Sequence, residues 1–314
     1  MKTVLVTGAN GFVGRALCRT LLEAGYTVKA PLRSIQKIDN LNPHFEPIPI
    51  GEIDQVDWKP ILVGVDAVIH LAARVHQMQD SSLDPAAEYR RVNVEATRGL
   101  AEAAAEAGVH RFVFLSSIKV NGEFTTTSSF TEQDQPNPID PYGVSKLEAE
   151  QVLQKMATHS KLKFVIIRTP LVYGPGVKAN FAKLVSLVNK RVPFPFGSIQ
   201  NQRSLIYVGN LVSALILSMK HEKAIGNTYL VSDPNVVSTA ELIRKIAHAY
   251  RRPALVYPVP VKWIETLARL LGRQMAAQRL LSSLVVDHSK IKAELGWEPP
   301  FTMQGGLEKM VSEA

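Results

Sequence analysis

The chain of 314 residues contains one cysteine, Cys18, so an internal disulfide framework is excluded. Cys18 lies in an apolar helical pattern and is expected to be a reduced core thiol. No uninterrupted apolar run reaches the roughly 18 residues that a membrane-spanning helix needs. The opening residues, MKTVLVTG, read directly as a strand, with no charged leader and small-residue cleavage site, and the expected address is the cytoplasm. Basic residues outnumber acidic ones by 36 to 28, a net charge of +8. Yet there is no basic run and no aromatic-interleaved basic patch, so nucleic acid is not an expected partner. A basic surface without such a patch suits anionic small molecules, among them dinucleotides and sugar nucleotides. No metal site is expected.

What is present is a steady alternation of apolar strands and helices through the first half. Strands are predicted at 3–6, 26–32, 67–73, 111–117 and 164–169, with a further apolar stretch at 45–50. Helices are predicted at 12–24, 86–107 and 141–158, the first two stopped by Gly25 and Gly108. Continuous apolar strands between helices imply a parallel sheet covered on both faces. Beyond residue 174 Pro and Gly punctuate the chain, and helical stretches follow at 208–219, 239–250 and 261–284. The expected organisation is a dinucleotide-binding domain over 1–174 and a smaller substrate lobe over 175–314, with some segments returning to the sheet.

Two motifs carry chemistry. Gly8, Gly11 and Gly14, within Thr7-Gly8-Ala9-Asn10-Gly11-Phe12-Val13-Gly14, follow the first strand and open the first helix. A sharp turn, bare backbone against a pyrophosphate and tight helix–strand packing each favour glycine, and the helix N-terminus offers N–H groups to phosphate. Tyr142 and Lys146 stand four apart, on one face of a helix. A neighbouring ammonium favours the phenolate and so makes tyrosine a usable acid–base group. Ser117 ends the strand 25 residues before Tyr142.

The order TGxxGxxG, SS, YxxxK resembles the extended short-chain dehydrogenase/reductases, in their nucleotide-sugar epimerase/dehydratase branch. HLAA (70–73), Asn93 in VNVEAT, RTPLVYGPG (168–176), RSLIYVGNL (203–211) and LGWEP (295–299) extend the likeness over nearly the whole chain. The resemblance implies an α/β fold, a Rossmann-type doubly wound parallel sheet with a smaller C-terminal substrate-binding lobe, and a homodimer formed through helices 86–107 and 141–158. It makes Ser117, Tyr142 and Lys146 catalytic. It places NADP or NAD against Gly8, Asn10, Gly11, Phe12, Val13, Gly14, Arg33, Glu52, Ile53, Leu71, Ala72, Ala73, Asn93, Tyr142, Lys146 and Pro170. A UDP-sugar would meet Ser117, Asn180, Arg203 and Arg279.

Departures from the branch narrow the reaction. Dehydratases carry Asp-Glu after the catalytic hydroxyl residue; here Ile118 and Lys119 stand there, so dehydration is not expected. The second strand lacks a terminal acid for the adenosine ribose: Leu32 ends it and Arg33 follows, which suits a 2′-phosphate and favours NADP. Arg168-Thr169-Pro170-Leu171 lacks the asparagine that epimerases place before the substrate. SSIKVNG and HLAARVH (70–76) resemble a bacterial group of UDP-glucose 4-epimerase-like proteins and UDP-N-acetylquinovosamine dehydrogenases. The reading so reached is an NAD(P)H-dependent reductase of a UDP-4-keto-6-deoxy-hexosamine in surface polysaccharide synthesis. UDP-hexose 4-epimerisation with bound NAD is the alternative, and a non-catalytic NADP sensor a remote one. The stretch 261–284 reads as core or a substrate lid in preference to a membrane-surface helix.

Overall fold

The structure is a computed structural model that describes residues 2–34, 42–75 and 84–313. His76, at the end of HLAARVH, lies outside the described residues.

Seven parallel strands form the main sheet: β1 (Thr3–Thr7), β2 (Thr27–Leu32), β3 (Phe45–Pro49), β4 (Ala67–His70), β5 (Arg111–Ser117), β6 (Phe164–Thr169) and β9 (Thr228–Leu230). Their order is β3-β2-β1-β4-β5-β6-β9. The chain runs outward from β1 to β3, then crosses back to pair β4 with β1, so a crevice opens beyond the carboxyl ends of β1 and β4. Among the described residues β3 pairs only with β2, and that edge position tolerates Pro47 and Pro49.

Alternate residues of each strand feed opposite faces. In β6, Val165 and Ile167 join a core with Leu17, Cys18 and Leu21 of helix α1 (Phe12–Glu23). Phe164 and Ile166 join the opposite core, with Leu100 and Ala104 of helix α3 (Ala96–Glu106) and Ala149 and Leu153 of helix α4 (Pro141–His159). Cys18 is buried as expected, and burial pushes its thiol up to about 12.

The expected helix 86–107 is two helices. Helix α2 (Pro85–Arg90) ends in a π-helical turn at Arg91–Glu95 before α3 begins. Such a turn inserts one extra residue per turn and re-aims side chains; here it holds Asn93 and Val94 in the interior.

A pair of short parallel strands, β7 (Leu171–Tyr173) and β8 (Leu205–Tyr207), leads into the C-terminal lobe. Its core gathers Phe181 and Val185 of helix α5 (Ala179–Asn189) with Ile243 and Ile246 of helix α7 (Thr239–Ala249). Helix α6 (Val208–Lys220) instead packs Leu211, Val212 and Leu215 on the main sheet, and β9 extends that sheet. The expected helix 261–284 is likewise split, into α8 (Val261–Leu270) and α9 (Gln274–Leu281). Gly272, at φ +66° in the left-handed region that only glycine enters without strain, makes the break. Helices α10 (Ser289–Leu295) and α11 (Met303–Ser312) close the chain.

Candidate active site

The glycine loop sits at the crevice. Gly8 has φ +68°, and a Cβ there would meet the Ala72 backbone nitrogen at 2.9 Å. A Cβ on Gly14 would lie 2.1 Å from the Gly8 carbonyl oxygen, so α1 can approach β1 only with glycine. Helix α1 starts at Gly11 with no side-chain cap and no acid in its first turn. Its first N–H groups and positive dipole end therefore face the crevice without an internal anion. These residues fit a dinucleotide pyrophosphate.

The other expected cofactor residues stand at the ends of neighbouring strands. Arg33 follows β2 and is exposed. Glu52 and Ile53 follow β3, where Arg91 of the π turn ion-pairs with Glu52 at 3.5 Å and with Asp54. Leu71, Ala72 and Ala73 follow β4, and buried Pro170 follows β6. Asn10 is exposed in the loop, while Phe12 and Val13 open α1 half-buried.

Ser117 ends β5. Asp140 caps α4, its carboxylate accepting the Gly143 N–H at 2.7 Å, and Pro141 supplies the first helical residue. That start places half-buried Tyr142 against Ser117, to which its hydroxyl is hydrogen-bonded. The Tyr142 ring meets Tyr89 edge-on at 6.3 Å. Burial pushes the phenol up to about 12, opposed by the Ser117 hydrogen bond. One turn along, buried Lys146 holds its ammonium 4.0 Å above the Phe114 ring. Burial brings Lys146 down to about 7, opposed by the Glu150 carboxylate. Near neutral pH its proton is finely balanced, so a negative oxygen arriving beside it would fix the charge.

This shift predicts a stability effect with a definite sign. The Lys146 amine titrates at 10.5 unfolded and about 7 folded. Its stabilising contribution is full above 10.5 and is lost as pH falls to about 7, because protonation in the interior is penalised. Lys146→Met removes the penalty. With both proteins freed of NAD, the melting temperature should rise about 2–4 °C at pH 7 and not at all near pH 10.5, while turnover is lost. Thermal shift across that range measures it, and a gain independent of pH would contradict it.

Behind the pair runs a buried hydrogen-bond chain that sequence reasoning did not assign. Thr7 Oγ1 accepts the N–H groups of Leu71 and Ala72, both at 3.2 Å, so its own hydrogen goes to His70 Nδ1 at 2.6 Å. His70 Nε2–H then donates to Thr97 Oγ1 at 3.0 Å, and Thr97 donates to the Asn93 carbonyl at 2.7 Å. Burial, with the Lys146 charge added, holds His70 down at about 3, neutral as this chain requires. Asn93 accepts the Arg74 N–H at 2.7 Å and donates to Ser145 Oγ at 2.9 Å, which donates to the Tyr142 carbonyl at 2.8 Å. The glycine loop and the helix that carries Tyr142 and Lys146 are thus tied through Asn93. A second unassigned group, Glu150 with Arg168 at 2.6 Å, also bonds Ser116 and Asn121 on either side of Ser117. Glu150 stands four after Lys146, and that spacing was the available signal.

The substrate candidates are only partly gathered. Arg203 turns its guanidinium onto the carbonyls of Arg279, at 2.9 Å, and Ser282, at 3.2 Å. The Arg279 side chain is exposed, as is Asn180 in the first turn of α5. In the position of the dehydratase acid pair, Ile118 is buried and Lys119 is ion-paired to Glu123 at 2.8 Å and to Asp140.

A Rossmann-type sheet with Tyr, Ser and Lys gathered at its carboxyl edge defines the extended short-chain dehydrogenase/reductase class. Residues 4–232 match the NAD dependent epimerase/dehydratase family, and the chain belongs to it. It is 44% identical over 313 residues to a UDP-glucose 4-epimerase of Vibrio cholerae, covering 98% of this chain and 94% of that one. It is 28% identical to a dTDP-glucose 4,6-dehydratase of Haemophilus influenzae, covering 99% and 97%. Among solved structures, the fold matches UDP-glucose 4-epimerase from Thermotoga maritima with UDP-glucose, at TM-score 0.80 and 24% identity over 99% and 98% of the two chains. It also matches UDP-glucuronic acid 4-epimerase from Bacillus cereus in complex with NAD, at TM-score 0.79 and 23% identity over the same shares. The chain is therefore an enzyme of the nucleotide-sugar branch. The ketoreductase reading drawn from the sequence departures has no counterpart among these relatives, nor has a preference for NADP.

Proposed function

We propose that the protein is a UDP-hexose 4-epimerase that retains NAD through turnover. The observation that carries this is the 44% identity, over 98% of the chain, with the Vibrio cholerae UDP-glucose 4-epimerase. NAD, held when bound by the Gly8–Gly14 loop and Lys146, would supply a reversible hydride acceptor for sugar C4. Tyr142 takes the proton of the C4 hydroxyl and gives it back, with Ser117 hydrogen-bonded to the same oxygen. Lys146 stabilises negative charge on Tyr142 and holds the nicotinamide ribose. Asn180, Arg203 and Arg279 anchor the diphosphate, which aligns C4 for transfer.

Incubating the purified protein with UDP-glucose and no added cofactor should equilibrate it with the C4 epimer, and denaturation should release NAD. One observation favours the reductase as second reading. The segment Arg168-Thr169-Pro170-Leu171 lacks the asparagine that epimerases place before the substrate, and its last residue, Leu171, is 49% exposed. Stoichiometric NADPH consumption on a UDP-4-keto-6-deoxy-hexosamine, without epimerisation of UDP-glucose, would establish the reductase instead.

With NAD as the retained cofactor, exposed Arg33 faces no 2′-phosphate. Arg33→Ala should leave the amount of NAD released per chain unchanged. Selective loss of a bound NADP fraction would restore the phosphate role to Arg33.

A further inference from the structure

Helix α8 contributes no buried residue to the fold. Its apolar residues nonetheless form a stripe. Trp263, Leu267, Leu270 and Leu271 are 72%, 58%, 80% and 62% exposed. At about 100° per residue they fall within an arc of about 100°. Lys262, Glu265, Thr266 and Arg269 take the other side. An isolated helix of this length is marginal in water, so such a stripe calls for a cover.

The surrounding charge says what kind of cover. Residues 251–284 carry six bases, Arg251, Arg252, Lys262, Arg269, Arg273 and Arg279, against the single acid Glu265, which is +5 of the chain's net +8. All six are exposed. A two-fold contact with a second copy would set these like charges against one another. A lid over the site would turn the stripe inward, whereas it faces outward. A tryptophan and leucines carried by a segment of one-sided basic charge fit an interface in which apolar groups enter acyl chains and exposed bases are drawn to anionic headgroups.

We infer that the α8–α9 hairpin docks this enzyme on an anionic bilayer surface. Arg203 is held by carbonyls at the end of α9, so docking sets the substrate-diphosphate edge of the candidate site at the membrane. Among the described residues no helix is long and apolar enough to span it; the attachment is peripheral. The inference stands apart from which reaction the site performs.

Vesicle co-sedimentation tests it. The protein should pellet with phosphatidylcholine vesicles containing phosphatidylglycerol, weakly with phosphatidylcholine alone, and less at high salt. Trp58 and Trp297 are buried and Trp263 exposed, so a blue shift of emission on vesicles reports Trp263. Leu267→Gln/Leu270→Gln/Leu271→Gln should weaken vesicle binding at least tenfold with turnover of soluble substrate unchanged, and Arg269→Glu/Arg273→Glu should abolish the preference for anionic vesicles. No pelleting of the wild type, pelleting indifferent to both variants, or a dimer that the leucine variant dissolves would each overturn the proposal; the last would make the stripe a contact between copies.

Discussion

Tyr142→Phe should lower kcat by about 10²–10⁴-fold, the usual contribution of a positioned proton carrier, while bound NAD and the melting temperature stay as in the wild type. The hydroxyl is hydrogen-bonded to Ser117. The ring, which meets Tyr89 edge-on, is retained. The backbone carbonyl of residue 142 would still accept from Ser145, so the chain through Asn93 to the glycine loop is undisturbed. A selective fall in kcat with NAD occupancy preserved therefore separates proton transfer from folding and cofactor retention. Near-normal epimerisation of UDP-glucose by the variant would remove Tyr142 from the acid–base role.

Much of this site was legible because its two motifs are local. A glycine loop between a strand and a helix, and a Tyr/Lys pair one helical turn apart, need no knowledge of tertiary contacts. The alternation of apolar strands and helices likewise led to the parallel sheet. The π turn at Arg91–Glu95 was not legible, since no Gly or Pro interrupts Arg91-Val92-Asn93-Val94-Glu95 and the extra residue leaves no breaker behind. The split between α8 and α9 had a signal in Gly272, which the helical pattern continuing on both sides outweighed. Arg168 was harder still. It sits in the apolar strand FVIIRT, and charged residues read singly are assigned to the surface. Its partner Glu150 lies on another element, so only the packed structure reveals that both are interior.

That buried pair supports the second large prediction. Arg168 and Glu150 are 5% and 1% exposed. Arg168 bonds Glu150 through Nε and Nη2, at 3.0 and 2.6 Å, and Asn121 through Nη1 at 2.9 Å. Glu150 also accepts from Ser116, which is Arg168's neighbour in the β5–β6 register. One ionic group thus fastens β5, β6 and α4 directly behind Ser117. Removing one partner leaves a carboxylate uncompensated in the interior, and Arg168→Ala should cost about 3–5 kcal/mol. Replacing both, as Arg168→Met/Glu150→Leu, removes the stranded charge and should recover much of that loss. The same double variant deletes the carboxylate that favours the Lys146 ammonium and the bonds that set Ser116 and Asn121. Turnover should accordingly remain depressed even where stability returns. Denaturant midpoints and kcat on the single and double variants decide it. Equal stabilities for all three would mean that the pair contributes nothing net. Full activity in the stable double variant would mean that apolar packing alone can position Ser117.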